Sequence, residues 1–183
     1  DVGPAAKAFP GIEFLVYHSG YEIPTGPDEE GPYSDDVSHL GSNRLVKSLI
    51  DAGIKPGSNV YAELGSTWFL TVKRPREAAH VLGKLLLAVG EDNVLWGTDS
   101  IWYDSPQPEI DAFRTFEIPE DYQEKYGYPS LTPALKEKIL GLNAARVYNI
   151  DIAKARQAAA TDDLAWAKAA IEEYKVKGMP SVK

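Results

Sequence analysis

Three polar side chains stand at or near the ends of short apolar runs in this sequence: His18 after Ile12–Tyr17, Glu63 within Asn59–Leu64, and Asp99 after Asn93–Thr98. An imidazole and carboxylates are the groups that exchange protons near neutral pH and hold divalent cations. If the runs are strands of one sheet, an imidazole and a carboxylate from different strands can share a polar pocket. There the carboxylate would bind an ion and the imidazole would accept or donate a proton. Each position also has a plainer reading: His18 can bond a neighbouring carbonyl, Asp99 can cap the turn that follows it, and Glu63 can bond loop amides or pair with a basic side chain. Two local features favour function. Ser19-Gly20 permits close backbone approach behind His18, and Asp99 follows largely apolar residues in Trp96-Gly97-Thr98-Asp99-Ser100.

The other candidates are weaker. His80, beside Lys84 at the margin of a helical stripe, is expected to be a solvated surface histidine, and His39 an exposed loop residue. Trp68, Trp96, Trp102, Tyr103 and Tyr61 fall near strand ends. Of these, Trp68, Trp102 and Tyr103 join Glu63 as candidate substrate-pocket residues, although core packing explains most such aromatics.

The elements that must position these residues follow from periodicity and punctuation. The three runs are rich in β-branched and aromatic residues and read as buried strands. Between the first two, Ser42 can cap a helix over 43–52, with Leu45, Leu49 and Ile50 on its apolar face and Gly53 as its stop. Between the second and third, Pro75 starts a helix to Val89 whose stripe is Val81, Leu82, Leu85, Leu86 and Val89. This alternation predicts parallel βα units, which place their chemistry at the C-terminal ends of strands. Further helices are expected over 109–116, from Thr132-Pro133 through Leu140, and over 151–177. The stretch between 116 and 132 reads as an acidic loop. In the last helical region Ala165, Trp166, Ala169, Ala170 and Tyr174 form a stripe that needs a packing surface. Residues 21–43 hold three prolines, three glycines and six acidic residues. That composition predicts a lid that shapes substrate access.

Composition excludes several classes. The chain has 183 residues, 44% of them hydrophobic, enough for one core. No run approaches the roughly 20 apolar residues of a membrane helix, so no membrane partner is expected. Nineteen basic against 27 acidic residues give a net charge of −8, which disfavours nucleic acid as partner. Without cysteine, any metal must be held by histidine and carboxylates. The cellular compartment stays open, with the cytoplasm favoured. The start at Asp1, with no Met, suggests that the natural start lies elsewhere.

Taken in order, Phe9-Pro10-Gly11-Ile12-Glu13-Phe14-Leu15-Val16-Tyr17-His18-Ser19-Gly20, then Asn59-Val60-Tyr61-Ala62-Glu63, then Asn93-Val94-Leu95-Trp96-Gly97-Thr98-Asp99, then Ile139-Leu140-Gly141-Leu142-Asn143-Ala144-Ala145-Arg146-Val147-Tyr148 resemble the closing portion of the metal-dependent amidohydrolases of the amidohydrolase-related branch. The resemblance spans residues 9–150. It implies an α/β fold, a partial (β/α)8 TIM-type barrel in which the three strands are the sixth to eighth, followed by C-terminal helices. By the same resemblance Asp99 matches the eighth-strand aspartate, which binds the metal and takes a proton from bound water. His18 matches the sixth-strand histidine, an acid/base or substrate-orienting residue that is a ligand in two-metal members. Asn143-Ala144-Ala145-Arg146 matches the closing helix motif, with Asn143 expected to cap and Arg146 to bond carboxylates or carbonyls. The implied cofactor is a divalent ion, zinc by preference, held by Asp99 and His18.

The family's first-strand His-x-His pair and fifth-strand histidine have no counterpart among His18, His39 and His80. A whole barrel takes about 250 residues. The expectation is therefore the C-terminal part of a barrel over 1–150 with a helical extension over 151–183, completed by a missing N-terminal half, another chain or a second copy, and ordered only beside it. The function implied is hydrolysis or decarboxylation of a small, aromatic or carboxylate-bearing substrate, the segment alone being inactive. The competing reading is a non-catalytic interaction or scaffold module, one chain of a split barrel.

Overall fold

The computed structural model of the chain describes residues 1–24 and 30–177, so part of the expected lid, residues 25–29, lies outside the described residues. The chain divides into two units, Asp1–Ala144 and Ala145–Lys183.

In the first unit β1 (Phe14–Val16), β2 (Val60–Glu63) and β3 (Val94–Leu95) form a parallel sheet in the order β1-β2-β3. Val16 pairs with Ala62, and Ala62 with Val94. Parallel neighbours require long crossovers, and helices supply them here. The first crossover contains α1 of our numbering (Asn43–Ala52), and the second contains α2 (Gly65–Thr71) and α3 (Pro75–Val89). Gly53, at φ 72°, ends α1 in the left-handed conformation that glycine adopts without steric cost.

Leu45 and Leu49 of α1 are buried as expected, but Ile50 is 55% exposed. The Ser42 hydroxyl makes no cap and instead donates to Glu30 Oε1 at 2.7 Å. Helix α3 keeps its expected bounds. Its stripe Val81, Leu82, Leu85, Leu86 and Val89 is buried, joined by Ala78 and Ala79, and packs in the core with Val60, Ala62, Leu64 and Val94.

The strands are shorter than the apolar runs that suggested them. β1 stops at Val16 because Tyr17–Gly20 turn into a 3-10 segment with His18 and Ser19 in left-handed conformations. β1 is also half-buried rather than buried, as an end strand of the sheet.

The sequence reading missed an N-terminal helix over Val2–Ala8 and the whole of α2. Beyond β3 lie α4 (Ser100–Tyr103), α5 (Gln107–Thr115) and α6 (Glu120–Tyr126). The last of these occupies the stretch expected to be an acidic loop. Its tyrosines explain the difference, because they enclose His80. That histidine is 5% exposed, not solvated. It meets Tyr128 OH through Nδ1 at 3.1 Å and stacks on Tyr122 at 4.4 Å. Burial, aided by Lys84, Arg76 and Lys125, pushes its pKa down to about 4.

Thr132 caps α7 (Pro133–Glu137) by accepting from Leu135 N at 3.2 Å. The helix continues through a π-helical turn, Lys138–Leu142, into α8 (Asn143–Val147). Asn143 does not cap it. Its amide donates to Glu91 O at 2.9 Å and Val94 O at 2.8 Å, tying the helix to β3.

Within the second unit Asp151 caps α9 (Ile152–Ala160), and α10 spans Ala165–Lys177. Trp166 and Tyr174 of the expected stripe are 72% and 43% exposed. No helix among the described residues is long and apolar enough to cross a membrane.

Candidate active site

Because the three strands are parallel, their C-terminal ends open on one side of the sheet, and the residues that follow them converge there. His18, Ser19 and Asp99 all have left-handed backbones, with φ of 52°, 54° and 51°. Each such non-glycine conformation costs on the order of 1–2 kcal/mol and needs surrounding structure to hold it. That structure comes from β2 and the turn behind it. Glu63 Oε2 accepts the His18 amide at 2.8 Å, Thr67 Oγ1 donates to His18 O at 2.6 Å, and Ser19 Oγ donates to Glu63 O at 2.8 Å.

His18 and Asp99 meet directly: Nε2 lies 3.1 Å from Oδ2. The other ring nitrogen, Nδ1, is 3.5 Å from Glu63 Oε2 and accepts from Ser66 N at 3.2 Å. Asp99 is surrounded by donors. Tyr17 OH reaches Oδ1 at 2.8 Å, while Ser66 presents its amide and hydroxyl to Oδ2 at 3.0 and 2.7 Å. Tyr103 OH lies 2.9 Å from Ser66 Oγ, and its ring stacks on Phe69 at 3.9 Å.

Two glycines make this closeness possible. A Cβ on Gly65 would fall inside the contact radius of His18 Nδ1, and one on Gly97 would overlap Glu63 Oε1. Gly65 also has φ +34°.

The environments drive the two carboxylates apart. Burial raises the Glu63 carboxyl above the usual carboxylate range, against opposing amide hydrogen bonds from His18 and Gly65 and the nearby imidazole. Burial would raise Asp99 as well, but the Ser66 hydroxyl, the Tyr17 phenol, the His18 ring and the Ser66 amide outweigh it and hold Asp99 below its ordinary value. The hydrogen bond to Asp99 in turn raises Tyr17, keeping the phenol a donor. Two carboxyl groups with divergent proton affinities around one imidazole are an arrangement suited to acid–base work.

Among the sequence candidates, His18, Glu63, Asp99 and Tyr103 are brought together. Trp68 is not part of the cluster: it is 1% exposed, donates from Nε1 to Glu109 O at 3.1 Å, and packs edge-on against Phe113 and Phe116. Trp102 is 77% exposed and reaches the cluster through its backbone, whose N–H donates to Asp99 O at 2.8 Å. His39 is exposed, as expected. Sequence reasoning missed Tyr17 and Ser66. Both sit beside recognised positions, Tyr17 immediately before His18 and Ser66 in the Gly65-Ser66-Thr67 turn after β2, so the strand-end rule applied to neighbours would have reached them.

The 3.1 Å separation of His18 Nε2 and Asp99 Oδ2 suits two ligands of one small divalent ion, whose bonds are about 2.0–2.2 Å. A catalytic ion needs about three protein donors. Among the described residues no group of three His, Cys, Asp or Glu side chains is disposed to hold one. His18 and Asp99 therefore fit as two ligands, and the described residues do not supply a full set. Two cavities, of about 450 and 590 Å³, lie elsewhere: one beside α1 and α3 near Tyr126, the other at the N-terminus near Arg44.

A family model described as Amidohydrolase matches residues 1–150. No curated protein and no solved structure matches the chain.

Proposed function

The chain belongs to the amidohydrolase family, and from that premise we propose that it carries strand-end acid–base residues of a metal-dependent hydrolase or decarboxylase acting on a small aromatic or carboxylate-bearing substrate. The observation that carries this reading is the contact of His18 with Asp99 from two different strand ends of one parallel sheet. In the proposed arrangement the three strands are one sector of a (β/α)8 barrel. Its other strands would extend the sheet and enclose the substrate.

Asp99 is the proton acceptor, since its hydrogen bonds favour the ionised form. His18 stands beside it to pass that proton on. Tyr17 and Ser66 orient the carboxylate. Glu63 fixes the His18 backbone through the amide hydrogen bond and so holds the ring at the strand end. Tyr103 and the exposed Trp102 offer aromatic surface at the open side. A divalent ion, zinc by our reading, would take His18 and Asp99 as two of its ligands with the remaining donors from outside these residues. When bound, such an ion polarises a carbonyl or acidifies water.

The test pairs metal content with turnover in the protein with its barrel complete, supplied with zinc. Carbon dioxide release from aromatic carboxylic acids and hydrolysis of lactones and aryl esters are followed for wild type and Asp99→Asn. Turnover at least 100-fold lower and reduced zinc in Asp99→Asn support the reading. Equal turnover and equal zinc in the two proteins overturn it, as does absence of both in wild type.

A further inference from the structure

Helix α2 carries more than Ser66 to the site. Ser66, Phe69 and Lys73 are spaced three and four residues apart, which puts them on one face of the helix. The face reaches Lys73 because Val72, just past the last residue of α2, keeps helical angles of φ −56° and ψ −30°. At the near end of this face Ser66 Oγ donates to Asp99 Oδ2 at 2.7 Å. Next along it the Phe69 ring lies flat against Tyr103, with 3.9 Å between centroids and 8° between planes. Both rings are half-buried, so part of this stacked plate stays open to solvent. At the far end the exposed Lys73 places its ammonium over the Phe69 ring, 5.6 Å from the centroid.

The charges along this line are one-sided. The His18 end holds two carboxyl groups, Glu63 and Asp99, and among the described residues no lysine or arginine pairs with either. A substrate anion that is not itself reacting finds no counter-charge there. The Lys73 end is cationic. Its neighbours Arg74 and Arg76 are committed to Glu77 and Asp121. Lys73 pairs with no carboxylate among the described residues, and the contact it makes is with the Phe69 ring. An ammonium has three donors, and a ring face occupies one side of it, so the others remain for an anion.

Seven helical residues rise by about 10 Å, a length that a benzene ring with a short acidic side chain spans. We propose that Lys73 is a carboxylate-binding residue of this site. It selects substrates in which an apolar or aromatic body, laid along Phe69 and Tyr103, separates a carboxylate from the bond that reacts at His18 and Asp99. The acid anchored by Lys73 lies too far from that pair to be the group removed, so it is kept in the product. The subsite rests on the acid–base reading for which end of the substrate reacts, but the carboxylate preference itself does not.

The experiment has two arms, both on the protein with its barrel complete. In the first, calorimetric titration compares 3-(4-hydroxyphenyl)propanoate with 4-propylphenol, the same body without the charge, in wild type, Lys73→Met and Lys73→Arg. Wild type should bind the acid about tenfold more tightly than its neutral counterpart. Lys73→Met should lose that preference while binding 4-propylphenol within about twofold of wild type, and Lys73→Arg should keep it. No preference in wild type, an equal preference in Lys73→Met, or binding of neither probe overturns the proposal. In the second arm hydrolysis of the corresponding acetate esters, 3-(4-acetoxyphenyl)propanoate and 4-propylphenyl acetate, is followed in the same proteins and in Asp99→Asn. Lys73→Met should lower kcat/KM about tenfold for the acidic ester alone, whereas Asp99→Asn should lower it for both. Loss in Asp99→Asn with neither ester affected by Lys73→Met overturns the subsite and leaves the acid–base reading standing. No turnover of either ester by wild type is the failure of that reading, and the binding preference then decides the subsite alone.

Discussion

Glu30 and Lys84, 54 residues apart, form an ion pair in the interior of the first unit, with side chains 1% and 2% exposed. Lys84 Nζ also donates to Asn43 Oδ1 at 2.6 Å, and Glu30 Oε1 accepts the Ser42 hydroxyl. The pair thus fastens the far part of the 21–43 segment to α1 and α3. Gly41 makes room for it, since a Cβ there would overlap the Glu30 carboxylate.

Removing one partner should therefore cost more than removing both. Lys84→Ala leaves a buried carboxylate unpaired and should lose about 3–5 kcal/mol in urea unfolding, whereas Glu30→Leu with Lys84→Met should recover most of that loss. Equal losses in the single and double variants would show that the pair is not buried as described.

His80 gives a stability signature in pH. Its folded pKa, about 4, lies below the unfolded value near 6.5, so the unfolded chain binds the proton first. Stability from this residue is intact above about pH 6.5, falls as pH drops toward 4, and then levels, with a total of up to about 3 kcal/mol. From pH 7 to 4 the urea midpoint of wild type should fall relative to that of His80→Phe. Parallel curves would mean that His80 is solvated after all.

Gly97→Ala and Gly141→Ala should differ sharply. The first forces a methyl into Glu63 Oε1, while a Cβ at Gly141 meets nothing within 4 Å. Overpacking of that kind costs about 1–3 kcal/mol, whereas glycine to alanine at an unhindered helical site is neutral or stabilising by up to about 1 kcal/mol. Thermal melts of the two variants settle the comparison, and similar melting points would contradict the crowding at Gly97.

Asn143→Ala removes the donor to both Glu91 O and Val94 O. Leaving these carbonyls unmet should cost about 2 kcal/mol and raise amide exchange at β3 ahead of the other strands. Exchange that stays protected at Val94 and Leu95 would assign Asn143 no anchoring role.

Much of the architecture was legible because its signals are local. Pro75 and Gly90 bound α3, Gly53 ends α1, and Thr132 caps α7, each through the backbone preferences of a residue and its near neighbours. The strand-end rule placed His18, Glu63 and Asp99 on one side of a parallel sheet for the same reason: alternation and burial are written in consecutive residues. The motif order likewise carried the family.

Tertiary structure decided what depends on distance in space between positions far apart in the chain. Helix α2 has no strong apolar period, and it matters because Gly65 and Gly97 let its first turn press against His18 and Glu63. Ser66 meets Asp99 across 33 residues, Tyr17 meets it across 82, and Tyr128 reaches His80 across 48. The sequence by itself determined which residues could ionise at strand ends. Which carboxyl is raised in proton affinity and which lowered was settled by desolvation and by donors from other segments, because a carboxylate's affinity for a proton depends on what the fold packs around it.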